Sequence, residues 1–355
     1  METTLKANSK RYAYLDVMRI LACLLVCLDH AQMMYLGSEW QTRLAAVHNV
    51  VVRGDHLFLV ITGALLLPVL KPWGEFVKHR MSVIVPPLLV WTVVYVINGF
   101  YRGETDWLDV LMLPLAPANG ILWYLYVLLV IYITLPIASV AVTAVGKRGV
   151  EVFLVMWVIA SLIPYEHGVI NSLEPPQHPF SFYFNCYGYV ILGYYLHRWP
   201  LPLFTLRHGW WISMLIFFGL VCVPLFEFTM QPDLTWHDHY VAVHHEVSIN
   251  AVMEAILIFT LVQKICPRHY SGTVPAADHV VTVSDCTFGI YLMHFIVMLY
   301  LTVPVTNALL LRYGTTQLTA NIIFRVFFPV LTFIVSLFIT RLIMMLPFSR
   351  HIIGR

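Results

Sequence analysis

The sequence predicts an all-α protein, a bundle of about ten helices that cross a membrane. Of its 355 residues, 59% are hydrophobic and only 11% are charged, and the mean hydropathy is +0.77. A soluble globular protein would carry about 25% charged residues. The apolar residues fall into runs of about twenty, which is the length of helix that crosses a bilayer. These observations exclude a soluble enzyme and predict a polytopic membrane protein.

Charges, prolines and polar clusters divide the apolar sequence into ten predicted spans. Their approximate limits are 13–36, 50–70, 82–100, 120–142, 151–165, 180–197, 209–228, 247–266, 285–305 and 319–346. An even number of spans places both termini on one side of the membrane. We expect the whole chain, 1–355, to form a single integral-membrane domain without an appended soluble domain.

The distribution of basic residues predicts that both termini are cytoplasmic. With that orientation, 14 of the 21 Lys and Arg residues fall in the inner segments. The first span follows a basic start, as the apolar part of a signal peptide would. However, Asp16 and Arg19 interrupt its apolar run and no small-residue cleavage site follows, so we expect a retained helix.

Cysteine and histidine usage gives no recognised metal or disulfide pattern. The six cysteines lack a C-x-x-C pair and are expected to be small core side chains; they are Cys23, Cys27, Cys186, Cys222, Cys266 and Cys286. The external loop 231–250 contains four histidines and three carboxylates, but without the spacing of a zinc site. A solvated loop is favoured there, and no metal is predicted.

The first span carries four ionisable residues, Asp16, Arg19, Asp29 and His30. Such groups are costly inside a membrane unless they face a partner or a water-filled cavity. Arg19 and His30 are separated on a helix by roughly 16 Å of rise and about 20° of rotation, so they share one face at two depths. Asp16 precedes Arg19 by one turn and can neutralise it, whereas Asp29 points elsewhere. An alternative is that Arg19 snorkels to the inner surface and His30 marks the outer headgroup region.

Two further groups of residues lie where the predicted spans meet the membrane surfaces. Lys78, His79 and Arg80 form a cluster at the inner surface, which is either a topology signal or an anion site. Trp123 and Tyr124 lie at the outer interface, where aromatic rings form a belt in many membrane proteins. They could instead line the mouth of a cavity.

Three of the ionisable residues inside later predicted spans are candidates for interior polar contacts. Glu254 is the only carboxylate well inside a span after the first, and such an acid needs a cation or an imidazole as its partner. Arg325 is the same case with the opposite sign, so a purely structural Glu254–Arg325 pair is one interpretation. His294 lies in an apolar run and is a candidate for a hydrogen-bonded interior group.

Several motifs, taken in order, resemble the acyltransferase 3 family of integral membrane enzymes that O-acylate sugars. They are Leu15-Asp16-x-x-Arg19 with His30 after ten further residues, LFLVITGALLL with Thr62 where Ser is usual, FVKHRMSVIVPPLLVW, GILWYLYVLLVIYITLP, YGYVILGYYLHR and SDCTFGIYLMHF, which runs from Ser284 through Tyr291 to His294. The resemblance covers nearly the whole chain. One departure is Val83, which stands where the family commonly has a second arginine.

The resemblance implies a membrane O-acyltransferase of the bacterial inner membrane. Such an enzyme moves an acyl group, here expected to be acetyl, from cytoplasmic acyl-CoA to a hydroxyl of a surface polysaccharide or lipopolysaccharide. Acetyl-CoA would be a co-substrate, with no tightly bound cofactor and no nucleic-acid partner. His30 would be the base or a transient acyl carrier, and Arg19 would orient the donor. Lys78, His79 and Arg80 would bind the phosphates of coenzyme A.

The remaining predicted site residues support the reaction or the acceptor side; they are Asp16, Asp29, Trp123, Tyr124, Glu254, Ser284, Tyr291 and His294. An alternative function is a transporter or exporter whose intramembrane charges form the path, and a weaker one is a non-catalytic partner of a polysaccharide synthase. The inner cation cluster and the lack of detectable inverted repeats favour the enzyme.

Overall fold

The computed structural model describes residues 11–33, 54–114, 116–162, 179–201, 211, 214, 249–270, 275–314, 316, 319 and 322–354. In this part of the chain the regular structure is helical, with one isolated bridge between Tyr12 and His269. The helices are α1 (Ala13–Met33), α2 (Asp55–Leu66), α3 (Trp73–Arg102), α4 (Trp107–Met112), α5 (Trp123–Leu162), α6 (Pro179–Arg198), α7 (Ile249–Ile265), α8 (Pro275–Val297), α9 (Val303–Tyr313), α10 (Phe328–Met344) and α11 (Ser349–Ile353). The all-α prediction is confirmed for these residues.

Four helical stretches in the described part of the chain are long and apolar enough to cross a membrane. They are Trp73–Arg102, Gly120–Ile159, Asp278–Tyr313 and Ile323–Met344. The protein therefore has the helices of a polytopic membrane protein. The number of ten spans and the cytoplasmic termini stay predictions. Of the predicted span 209–228, only Trp211 and Met214 are described, and most of the histidine-rich loop lies outside the described residues.

The chain folds into two compact units, each built from two separate parts of the sequence. The first unit comprises Met1–Leu67 and Val142–Ser284, and the second comprises Pro68–Ala141 and Asp285–Arg355. Helices α5 and α8 each have one part in the first unit and the other part in the second. The prediction of a single domain stays a prediction.

Close contact between α2 and α6 organises the first unit. A Cβ atom on Gly63 would overlap the backbone carbonyl of Val190, and a Cβ on Gly193 would overlap that of Val60. The two glycines therefore let the helix backbones touch. Helix α7 packs against α1, α2 and α6, and completes the described core of this unit.

The second predicted span, 50–70, extends beyond the C-terminal end of the helix that the structure shows there. Helix α2 ends at Leu66, and Leu67 is extended, with φ −96° and ψ 137°. The cause is local, because Leu67 precedes Pro68 and the proline ring disfavours the helical conformation of the residue before it. Hydropathy alone does not register this stop signal, since the sequence stays apolar through Leu70.

The third helix begins well before the predicted limit of residue 82. Helix α3 starts at Trp73, directly after Pro72, so that Lys78, His79 and Arg80 lie on its second and third turns. The first turns of α3 carry polar and charged residues, so a search for apolar segments in the sequence does not include them. The inner cation cluster is consequently held on a helix instead of a loop.

The helical run from Trp123 to Leu162 is broken at one residue, Gly146, instead of by a longer loop between the fourth and fifth predicted spans. Within it, Gly146 has φ 62° and ψ −167°, a conformation that is essentially restricted to glycine. The break at Gly146 falls between the predicted spans 120–142 and 151–165. The two segments are thus separate helices joined by one glycine.

Side-chain hydrogen bonds from α3 hold α8 and α11 in the second unit. The Tyr95 hydroxyl on α3 donates to the backbone carbonyl of Leu292 at 2.9 Å. The indole nitrogen of Trp91, also on α3, donates to the Ile352 carbonyl of α11 at 2.9 Å. Because Leu292 lies between Tyr291 and His294, the first bond fixes the backbone that carries two predicted site residues.

Candidate active site

Asp16 lies at the end of α1 that the charge distribution predicts to face the cytoplasm. Its side chain is buried, and its Oδ1 accepts hydrogen bonds from Arg19 Nη1 at 3.2 Å and from Ser284 Oγ at 2.7 Å. The contact with Arg19 confirms the one-turn pairing predicted from the sequence. The contact with Ser284, which is also buried, joins α8 to α1 within the first unit.

Two further donors to Asp16 were not predicted. Arg11 Nη2 lies 2.9 Å from Oδ1, and the Tyr270 hydroxyl lies 3.1 Å from Oδ2. The sequence gives Arg11 only the meaning of an inner basic residue, and Tyr270 lies in a polar connection after α7. The Tyr270 contact carries no local signal, because it joins residues 254 positions apart, whereas Arg11 lies only five residues before Asp16.

His30 lies three turns after Arg19 on α1, where its ring has a defined hydrogen-bond role. Its Nδ1 is 3.0 Å from the backbone carbonyl of Val26. A carbonyl oxygen only accepts hydrogen bonds, so Nδ1 carries the proton and the neutral imidazole has its lone pair on Nε2. Arg19, Asp29 and His30 are all partly exposed.

Glu254 lies on α7 and is buried, with 6% of its surface exposed. Helix α7 packs against α1, so this carboxyl group belongs to the same unit as Asp16. Arg325 lies in a π-helical turn, Ile323–Phe327, of the second unit. The predicted Glu254–Arg325 pair stays a prediction.

An aromatic cluster in the second unit brings together four predicted residues from α5 and α8. The ring centroids are 5.9 Å apart for Trp123 and Tyr124, 5.7 Å for Tyr124 and Tyr291, and 6.0 Å for Tyr291 and His294. The Tyr291 hydroxyl donates to the Ile121 carbonyl, and His294 Nδ1 donates to the Tyr291 carbonyl at 2.6 Å. Tyr124 and His294 are buried, so Tyr124 is not a lipid-facing belt residue.

The inner cation cluster presents two exposed side chains and one that is held in place. Lys78 and His79 are exposed. The guanidinium carbon of Arg80 lies 5.5 Å from the ring centroid of Phe76 and 5.7 Å from that of Tyr132. Aromatic faces attract a guanidinium and orient it. Arg80 is therefore fixed at the start of α3, while its neighbours face outward.

A second acid and imidazole pair, absent from the sequence-based predictions, lies at the start of α2. His56 is buried, its Nδ1 is 3.0 Å from Asp55 Oδ1, and its ring centroid is 4.4 Å from that of Tyr189. The sequence indicates this pair only through the Asp-His dipeptide that directly precedes an apolar segment. Asp55 and His56 join the list of ionisable residues in the first unit.

Comparison with protein families matches residues 12–341 to an acyltransferase domain, which is nearly the whole chain. The chain belongs to the acyltransferase 3 family. No curated protein and no solved structure matches it. As a member of the acyltransferase 3 family, the protein is a membrane acyltransferase, which favours the enzyme over the exporter and the non-catalytic partner.

The matched range includes every motif that carries the resemblance to the acyltransferase 3 family. In the structure these motifs form two groups. Asp16, Arg19, His30 and Ser284 lie in the first unit. The inner cation cluster and the aromatic cluster lie in the second. Membership of the acyltransferase 3 family thus gives the class of reaction. The described contacts show which side chains of each set of motifs lie together.

Proposed function

We propose that the protein transfers an acetyl group from cytoplasmic acetyl-CoA to a hydroxyl of a cell-surface glycan in the bacterial inner membrane. Membership of an acyltransferase family supports the reaction class. The acceptor hydroxyl attacks the thioester carbonyl, so that a C–O bond forms while the C–S bond breaks. The hydroxyl proton must pass to a base and then to the departing thiolate of coenzyme A.

The observation that carries this proposal is the hydrogen bond of His30. Because Nδ1 donates to the Val26 carbonyl at 3.0 Å, the basic lone pair of the neutral ring belongs to Nε2. That atom can take the acceptor proton directly. In a two-step route, the same nitrogen would carry the acetyl group before the acceptor arrives. Arg19, three turns away on α1, would orient the thioester or stabilise its developing negative charge.

The donor is proposed to bind at the inner cation cluster. Lys78 and His79 are exposed, and Arg80 is oriented by two aromatic rings. The Nε of Arg80 is buried and makes no hydrogen bond within the described part of the chain. A phosphate of acetyl-CoA would supply acceptor oxygens to these cations. Lys71 contributes less, because its Nζ is paired with Glu75 at 2.9 Å.

The acceptor is proposed to be a glycan because aromatic faces suit sugar rings. Trp123 is partly exposed and leans edge-on against Tyr124, with ring planes at 87°. Tyr124 is supported in turn by Tyr291 and His294 on α8. The indole of Trp123 is accessible, and the buried side chains beneath it are held by hydrogen bonds. Together they give a stable surface on which a sugar ring can stack. The glycan would belong to a polysaccharide or a lipopolysaccharide.

The proposal is tested with inverted membrane vesicles, in which the cytoplasmic face is accessible to added acetyl-CoA. Vesicles that contain the protein should convert label from acetyl-CoA into alkali-labile ester on glycan, and vesicles without it should not. In parallel, mass analysis of surface glycans should show the loss of an ester-sized mass when the protein is deleted. Equal labelling in both vesicle preparations, with unchanged glycan masses, would exclude the proposed reaction.

A further inference from the structure

The carboxylate of Asp16 collects more hydrogen bonds than the proposed chemistry requires. Only 1% of the residue is exposed. Its Oδ1 accepts from Arg11 Nη2 at 2.9 Å, Arg19 Nη1 at 3.2 Å and Ser284 Oγ at 2.7 Å. Its Oδ2 accepts from the Tyr270 hydroxyl at 3.1 Å. We call these five residues the Asp16 network.

The position of Tyr270 in this network is set by the backbone. The backbone amide of Ala13 donates to the Arg268 carbonyl at 3.2 Å. Tyr12 forms the isolated antiparallel bridge with His269. These bonds hold the connection after α7 against the first turn of α1. The backbone that carries Tyr270 is therefore fixed relative to Asp16, which places the Tyr270 hydroxyl within hydrogen-bond distance of the carboxylate.

The network changes what Asp16 can do for Arg19. An acid and a base three residues apart on one helix form a weak pair that leaves the long arginine side chain mobile. In addition, Arg11 shares the same carboxylate oxygen. Ser284 and Tyr270 are neutral donors, so they fix the plane of the carboxylate without adding a third positive charge. The oxygen that Arg19 contacts is thereby held in one place.

We propose that Tyr270 and Ser284 are positioning residues of the acyl transfer. They hold the Asp16 carboxylate, and the carboxylate holds the guanidinium of Arg19 in the orientation that the thioester requires. This inference rests on the role of Arg19 given under the proposed function. Both hydroxyls bond to the Asp16 carboxylate. Their effect on the reaction must therefore pass through Arg19.

The first test measures the rate of labelled acetyl transfer in inverted vesicles at matched protein levels. Tyr270→Phe and Ser284→Ala should each lower kcat by at least about tenfold, the lower end of the loss expected when one hydrogen bond to a charged group is removed. The KM for acetyl-CoA should stay within about twofold, because donor binding is assigned elsewhere. The double variant should lose little more than either single variant, since both hydroxyls act through one carboxylate.

The second test repeats Tyr270→Phe in an Arg19→Lys background, which keeps a positive charge but not the forked geometry. There the further loss in kcat should be less than about twofold, because the group being positioned is already replaced. Two matched controls remove a hydroxyl away from Asp16. They are Tyr101→Phe, at a side chain 81% exposed, and Thr282→Val, whose hydroxyl bonds to the Asp278 carbonyl at 2.7 Å. Both controls should keep the parental kcat.

The outcomes separate this inference from the function on which it rests. If Tyr270→Phe and Ser284→Ala keep the parental kcat while Arg19→Lys loses it, the inference is overturned and the proposed function stands. An equal loss of kcat in both backgrounds, accompanied by a lower Tm, would also overturn it, since that result describes general structural support. If Arg19→Lys keeps the parental kcat, the proposed role of Arg19 fails and the inference fails with it.

Discussion

Replacing His30 with asparagine separates the two roles of its imidazole ring. The amide nitrogen of asparagine occupies nearly the position of Nδ1, so it can still donate to the Val26 carbonyl, which lies 3.0 Å from Nδ1 in the parent. No atom then stands in place of Nε2, the proposed base. We expect the variant to keep its Tm and to lose acetyl transfer.

The structure sets the expected size of each effect. A single hydrogen bond contributes about 1 kcal/mol to stability, so keeping it should leave Tm almost unchanged. Losing a general base should lower kcat by about 10²- to 10⁴-fold, which corresponds to about 3–5 kcal/mol in the barrier. His30→Gln gives the complementary test, because its longer side chain abandons the Val26 bond and should lower both Tm and rate.

The assay is labelled acetyl transfer from acetyl-CoA to glycan in inverted vesicles, at matched protein levels. His351→Asn, at an exposed position of α11, is the matched control and should behave as the parent. A small residual rate in His30→Asn indicates a general base, and complete loss indicates an obligatory acyl carrier. Near-parental transfer by His30→Asn would refute the mechanism, and His294 would become the next candidate.

Three other predictions concern donor binding, the buried acid and helix packing. Reversing both Lys78 and Arg80 to Glu should weaken acetyl-CoA binding at least about tenfold, and most strongly in low salt, because charge-assisted bonds to phosphate are lost. Glu254→Gln should keep the fold of this buried site but lower the transfer rate at least about tenfold if the charge acts in the reaction. Gly193→Ala should lower stability by about 1–3 kcal/mol, because the new methyl group meets the Val60 carbonyl.

Each of these changes has a matched control elsewhere in the chain. Arg350→Glu and Glu104→Gln alter exposed charges outside the proposed sites, and Gly74→Ala adds a methyl group where nothing lies within 4 Å. Isothermal titration, labelled transfer and thermal unfolding in detergent are the respective measurements. If the variant with Lys78 and Arg80 reversed to Glu bound acetyl-CoA as tightly as the parent in low salt, the proposed donor site would be excluded. Normal rate and normal Tm in Glu254→Gln would leave that acid without a role, and an unchanged Tm in Gly193→Ala would contradict the close helix contact.

The helices were predictable where their signals are local. The sixth predicted span, 180–197, matches α6 (Pro179–Arg198) almost residue for residue, because an arginine and a proline end an uninterrupted apolar run. The predictions failed where a conformational preference overrode hydropathy. Pro68 ends α2 early although the chain stays apolar, and the polar first turns of α3 hide a helix that already began at Trp73.

The candidate site divides in the same way. The Asp16–Arg19 contact follows from spacing within one helix and was predicted. The bonds of Asp16 to Tyr270 and Ser284 join residues 254 and 268 positions apart, and no periodicity connects them. The motif around Ser284 marked the residue as relevant, but not its partner. Sequence can thus nominate members of a site while leaving their contacts undetermined.

The charges in the first helix are the clearest conflict between local sequence and global fold, and the Asp16 network shows how the fold resolves it. A buried carboxylate without partners would be costly at this depth. Asp16 instead accepts bonds from donors that come from three separated parts of the chain. A protein that needed only a stable helix could have placed an apolar residue there, since a buried ion pair is often no better than well-packed apolar groups. The network therefore supports the proposal that Arg19 acts in the acyl transfer and that its neighbours hold it in place.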